Sequence, residues 1–326
     1  MLKTVAAGFA AFAVACTLAT SRAQPASAPR GEPVVSAAKH RNDLLAQCPP
    51  ATPRLPEAEA AKLPIHATNW GTVGPTVLIV HGGVQGGLGG NPATFAKQEP
   101  LAEQGWRLQV VDRPGFGQSQ SRGMDDMEAD AVWIADMLGD GANLIGHSWG
   151  GAEALLAAAR RSEAVRSLVL IEPAVQGLLA DDPAVEKDPA LKADAKRWAE
   201  VLTSARTPAE YALALNKSLS GAETGGVDTQ RAERYGCALL QGRMASPPAL
   251  LQAAEAIARA RVPVLVITGG WSPFFDAGGK KIAELTGGRH EVVRSSNHFV
   301  QLTGAEEFNK VVDTFMRDAD KVRPGH

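Results

Sequence analysis

Positive charge is in short supply: 33 Lys and Arg stand against 35 Asp and Glu in 326 residues, a formal net charge of −2. A chain that neutralises phosphates needs a basic excess, so nucleic acid is disfavoured as a partner. Charge of either sign is sparse, at 21%, against 45% apolar residues. That balance excludes a disordered or fibrous chain and leaves enough apolar side chains for a large core. There is no H-E-x-x-H, no C-x-x-C and no cluster of His with acidic residues, so neither a metal nor any other cofactor is implied. No internal repeat is evident.

Long apolar sequence is confined to the start. Lys3 precedes an apolar run from Val5 to Ala19, and Ser21-Arg22-Ala23 before Gln24 fits the small-x-small pattern of signal peptidase. Residues 1–23 read as a secretory signal, which makes the mature protein exported, periplasmic or secreted. The alternative is an N-terminal anchor, for which a run of about 15 residues is short against the roughly 20 of a spanning helix. No later stretch is long and apolar enough to span, so no membrane partner is expected after cleavage. Cleavage removes Lys3, Arg22 and Cys16 and no acid, which moves the net charge two units further negative. Cys48 and Cys237 then remain in an oxidising compartment, where they either pair or stay free; sequence does not say whether their Cα atoms come close enough.

Residues 24–64 are rich in Pro and Ala and read as an extended arm. From residue 65 short apolar runs, TVLIV (76–80), RLQVV (107–111), NLIG (143–146), SLVLI (167–171), VLVIT (264–268) and EVV (291–293), alternate with helical segments. Fully apolar strands separated by helices are what a mostly parallel open sheet covered on both faces requires, so the fold class is α/β. Between Ile171 and Val264 the alternation stops and amphipathic helices follow, among them LKADAKRWAEVL and ALLQAAEAIARA. The expected division is a core of residues 65–173 and 261–326, with residues 174–260 as a helical cap over the strands' C-terminal edge, where open sheets bind ligands.

The strongest motif is Gly146-His147-Ser148-Trp149-Gly150, a G-x-S-x-G between the strand NLIG and the helix GAEALLAAARR. A serine at a sharp strand-to-helix turn needs small neighbours two residues away on each side, and the helix N-terminus places partial positive charge beside a developing alkoxide. Ser148 is therefore the candidate nucleophile. The glycine-dense GGVQGGLGG lacks the Gly-Lys-Ser/Thr ending of a phosphate loop.

With strand, serine turn and helix in this order the chain resembles the α/β-hydrolase family, from about Ile65 to Phe315. The resemblance implies an oxyanion hole from the Trp149 N–H and a second N–H, of Gly83 or Val84, in VHGGVQGG after the strand TVLIV. DRPGFGQS (112–119) resembles the loop that shapes the family's active-site floor, and no chemistry is assigned to it. The family's histidine comes late, after the last strand, which points to His298 in RSSNHFVQLTG as general base. The family's usual acid, in Gly-x-x-Asp after VLVIT, is absent: Gly269-Gly270-Trp271-Ser272 puts a neutral hydroxyl there. Two carboxylates can replace it. Asp276 lies four residues further on; Glu172 closes the preceding strand as LVLIEPA, where some branches of the family place the acid, after the family's sixth strand. Glu172 is preferred, because a carboxylate closing a buried strand is costly without a partner and His298 would supply one.

A serine nucleophile implies acyl transfer to water. The resemblance favours a carboxylic ester hydrolase, with a proline iminopeptidase-like peptidase, a C–C bond hydrolase or lactonase, and a non-catalytic binding protein as the alternatives. The partner is a small-molecule ester or amide. Trp271, Phe274 and Phe275 are expected either to line the substrate pocket or to pack beneath the cap.

Overall fold

A computed structural model describes residues 32–222 and 225–322, so the signal expected at 1–23, with Cys16, lies outside the described residues. Seven strands form one sheet: β1 (Ala67–Trp70), β2 (Thr76–Val80), β3 (Arg107–Val111), β4 (Ala142–His147), β5 (Val165–Ile171), β6 (Val264–Thr268) and β7 (Arg289–Val292). Their order is β1-β3-β2-β4-β5-β6-β7, parallel except for β1, which runs antiparallel to β3 at the edge. The apolar runs become central strands because each side-chain alternation has a covered face to enter. Leu78 and Val80 point into one core layer, and Val77 and Ile79 into the other; Leu144 and Ile145, Leu168 and Val169, and Val264 and Leu265 divide in the same way.

The longer helices are α1 (Glu32–Leu45), α2 (Met127–Met137), α3 (Ser148–Arg160), α4 (Pro189–Thr203), α5 (Pro208–Ser220), α6 (Thr229–Gln241), α7 (Pro247–Ala260), α8 (Pro273–Thr286) and α9 (Ala305–Val322). Side chains of α2, α3 and α7 cover one face of the sheet; α9 and the segment Pro92–Ala102 cover the other. The long insertion follows β5, the fifth strand of this chain, so the count is one lower than the family's sixth. Its last helix, α7, buries Leu250, Ala254 and Ile257 in the core layer beside α3, whereas α4, α5 and α6 form a separate apolar cluster with the start of α8. The Pro- and Ala-rich arm is not extended throughout: α1 lies on α4 and α6, and Ala37 and Leu44 join the cap's apolar cluster. Among the described residues no helix is long and apolar enough to cross a membrane.

β2 sits between β3 and β4, so the connections leave it in opposite directions. The loops after β2, β4, β5 and β6 all emerge at the sheet's C-terminal edge, at the crevice this reversal opens.

Candidate active site

β4 ends at His147, and the next residue, Ser148, takes φ of +55°, in the left-handed region that residues with a side chain avoid. The glycines make that turn possible. A Cβ on Gly146 would meet the Gly150 carbonyl oxygen at 2.5 Å, one on Gly150 would run into the His81 carbonyl, and one on Gly82 would stand 2.7 Å from Ser148 Cβ. Side chains at these positions would force the turn away from the loop after β2. The Trp149 N–H falls in the first turn of α3, where no intrahelical acceptor exists, and Gly83 and Val84 line the same cavity as Ser148 and Trp149. The expected oxyanion groups and the serine thus come together.

β5 hands the chain directly to Glu172, which has φ of +40° and no exposed surface. Its Oε2 lies 2.7 Å from His298 Nδ1. Its Oε1 accepts the Gly269 N–H at 2.8 Å, and the Trp271 indole N–H lies 2.9 and 3.0 Å from the two carboxylate oxygens. Burial pushes the Glu172 carboxyl well above its ordinary range, opposed by the Gly269 and Trp271 donors. Burial also lowers His298, to about 3, which keeps the imidazole neutral. His298 lines the cavity with Ser148, and its backbone is held from two sides: its N–H donates to Leu219 of the cap at 2.9 Å, and His147 Nε2 donates to its carbonyl at 3.0 Å.

The imidazole's Nδ1 pairs with Glu172, whereas the Asp276 carboxylate accepts the Gly270 N–H at 3.2 Å in the first turn of α8. Ser272, in the family's usual acid position, caps α8 by accepting the Phe275 N–H and donates to Asp194 of α4 at 2.5 Å. Asp194 also accepts the Phe274 N–H at 3.1 Å. The vacated acid position has become the point where the cap docks on the core.

The cavity at Ser148 and His298 has two lobes. The larger, about 110 Å³, is walled by aromatic and aliphatic side chains including Trp198, Phe274 and Phe275. The smaller, about 40 Å³, is bounded by Gly89, Gly90, Asn216 and Phe299. Trp271 is not in either wall; it stands behind, stacked on Phe275 with ring centroids 5.5 Å apart. A cavity of about 450 Å³ between the arm and α2 is roomier, but none of the catalytic candidates lines it. Among the described residues no three His, Cys, Asp or Glu side chains gather closely enough to hold a metal ion.

Sequence reasoning missed a buried ionic cluster under this site. Arg113, fully buried, donates to the Gly83 carbonyl, to Asp125 at 3.1 Å and to Glu153 at 2.6 Å. Glu153 accepts the Trp149 indole N–H at 2.8 Å, and Asp125 accepts the Gln85 N–H at 3.0 Å. Burial pushes Glu153 well up, against the pull of Arg113. Both segments expected to form the oxyanion hole are therefore anchored to one guanidinium. The only sequence signal is an arginine inside DRPGFGQS, since its partners come from other elements.

The chain is 26% identical over 278 residues to a 2-hydroxy-6-oxononadienedioate/2-hydroxy-6-oxononatrienedioate hydrolase of Klebsiella pneumoniae, covering 79% of this chain and 92% of that one. It is 25% identical over 286 residues to the enzyme of the same name from Escherichia coli K12, covering 79% and 93%. Among solved structures it resembles a hydrolase from Oleispira antarctica (TM-score 0.55, 15% identity, 82% of this chain and 99% of that one). It also resembles a lipase-esterase related protein from Clostridium acetobutylicum (TM-score 0.53, 16% identity, 77% and 99%). Likeness at that identity speaks for the fold alone. Residues 75–305 match the family model of the alpha/beta hydrolase fold, and with the sheet order and serine turn described above the chain belongs to that family.

Proposed function

We propose that this hydrolase is an exported serine esterase that cleaves carboxylic esters through an acyl-enzyme on Ser148. The observation that carries the reading is the buried Glu172 and His298 pair, 2.7 Å apart, opening on the cavity that Ser148 lines. His298 takes the Ser148 proton as Oγ attacks the ester carbonyl, and Glu172 holds the imidazole by Nδ1 and stabilises the imidazolium that forms. The N–H groups of Trp149 and of Val84 or Gly83 receive the oxyanion, an arrangement worth about a hundred- to a thousandfold in kcat per donor. His298 then protonates the departing alcohol, and the same imidazole activates the water that releases the acid. Export rests on the signal pattern at residues 1–23 and is supported by the bond between Cys48 and Cys237, which belongs in an oxidising compartment.

The relatives' name favours a second reading, hydrolysis of a C–C bond in a dienedioate. Such a substrate carries two carboxylates. Among the described residues no Lys or Arg lines either lobe, which supports the ester. A fluorophosphonate probe should label wild type and not Ser148→Ala, and a short nitrophenyl ester should turn over. On that ester Glu172→Gln should lose on the order of thousands-fold in kcat, and Asp276→Asn little. Turnover of the dienedioate with none of the ester would replace this reading with the second; a deep loss for Asp276→Asn with none for Glu172→Gln would move the acid.

A further inference from the structure

The larger lobe is apolar but not purely so. Tyr211 of α5 and Tyr235 of α6 both line it, and both residues are buried, 8% and 4% exposed. Neither hydroxyl has a hydrogen-bond partner among the described residues, and neither is sealed away from the cavity as the fully enclosed orphan atoms of Trp133 and His147 are. Tyr235 also borders the smaller lobe, whereas Tyr211 lines the larger one alone. Beyond Ser148, His298 and two indoles, Gln176 is a further polar side chain in the larger lobe, and its amide N–H donates to the Pro173 carbonyl at 3.2 Å. A buried hydroxyl with no partner is costly, and the natural relief is a ligand group that hydrogen-bonds it.

We infer that the larger lobe is a subsite for an uncharged hydrogen-bond acceptor, such as a ketone, ether or amide carbonyl, carried a few bonds from the scissile ester and held by Tyr211 and Tyr235. The inference rests on the esterase reading above and names its substrate class. Acceptor rather than donor follows because neither phenol O–H donates to a group in the walls, so each is free to donate to a ligand. Uncharged follows because, among the described residues, no Lys or Arg lines the lobe; Arg41, the arm's cation that acts on Tyr211, donates to the Leu240 carbonyl. The walls treat the phenols as they would a ligand's charge: burial pushes Tyr211 up to about 12 and raises Tyr235 as well, so both remain neutral donors and a carboxylate would be penalised alike. A site built to hydrogen-bond its substrate discriminates strongly against analogues that leave its polar groups unpaired.

The test compares three near-isosteric methyl esters: methyl hexanoate, its keto analogue ending in an acetyl group, and monomethyl glutarate, whose terminal group is a carboxylate. A mirrored series of acetates places the same three end groups on the alcohol side. In the series whose variable part enters the lobe, the keto ester should exceed the alkyl ester by about ten- to a hundredfold in kcat/KM, and the carboxylate ester should fall at least about a hundredfold below the keto ester. Tyr211→Phe and Tyr235→Phe should each erase most of the keto advantage, bringing the keto-to-alkyl ratio of kcat/KM close to one. Equal rates for keto and alkyl esters in both series, or a carboxylate ester as good as the keto ester, would overturn the subsite. The wild-type comparison decides even where a variant fails to fold. Ester turnover without preference removes the subsite alone, whereas no ester turnover and no fluorophosphonate labelling removes the esterase reading and the subsite with it.

Discussion

Trp271 shows how a single residue would support the acid of the proposed mechanism, Glu172, at the end of the strand before the family's usual position. Its indole N–H reaches both oxygens of Glu172, which otherwise accepts from the Gly269 N–H and pairs with His298. Burial opposes charge on the carboxylate, and the Gly269 and Trp271 donors are what hold it down. Trp271→Phe keeps the ring on Phe275 and Trp198 and removes only the donor. The ionised carboxylate then loses stabilisation and the pair takes up its proton at higher pH. The sign is fixed: activity that needs ionised Glu172 beside neutral His298 is lost as pH falls, and in Trp271→Phe that loss should set in at higher pH than in wild type. One hydrogen bond to a charged group is worth about 1.5–3 kcal/mol, so the acid limb of kcat should move by about one to two units, with KM nearly unchanged. A variant that changes KM and leaves the acid limb in place would assign Trp271 to packing.

At the scale of elements, the loop after β6 joins Glu172 to the cap. Asp194 of α4 accepts from the Ser272 hydroxyl and from the Phe274 N–H, so a carboxylate of the cap helps to close the N-terminus of a core helix. Asp194→Ala should cost about 1–3 kcal/mol in thermal or denaturant unfolding, and amide exchange in α4 should rise more than in α3. Equal exchange in both helices would show that the contact does not hold the cap. What was legible in the sequence follows from the same elements. Central strands were visible because both faces are covered, and TVLIV or VLVIT has no polar residue to hide the pattern. β1 was missed because ATNW is a short edge strand with half-exposed side chains, and α1 because Pro and Ala composition says nothing of the cap surface against which it packs. The convergence of Ser148, Glu172 and His298 was legible because each ends or follows a strand in an order the family resemblance implies. Arg113, Tyr211 and Tyr235 were not, since each acts through partners or walls that lie far away in sequence.

Over the whole molecule, the arm is a strap from core to cap. On the core side the Leu55 N–H donates to the Arg122 carbonyl at 3.0 Å and the Met124 N–H to the Thr52 carbonyl at 3.1 Å. On the cap side His40 donates to the Ala205 carbonyl at 2.7 Å and Gln241 to the Pro49 carbonyl at 2.6 Å. Cys48 and Cys237, 189 residues apart in sequence with Cα atoms 5.5 Å apart, make the strap covalent. A bond that closes so long a loop removes much of the unfolded chain's freedom, about 2–5 kcal/mol by the range seen for native disulfides. Cys237 lies on α6 two residues after Tyr235, so the same bond fixes one wall of the cavity. The double variant Cys48→Ser/Cys237→Ser should therefore melt several degrees lower than wild type. It should also show a higher KM for esters that fill the larger lobe, with kcat changed little, because Ser148, His298 and Glu172 sit on core loops that the strap does not touch. Dithiothreitol should lower the wild-type Tm toward that of the double variant and leave the variant where it is. A wild-type Tm indifferent to reductant under denaturing ramps would mean that hydrogen bonds and the apolar seat of α1, rather than the disulfide, hold the cap closed.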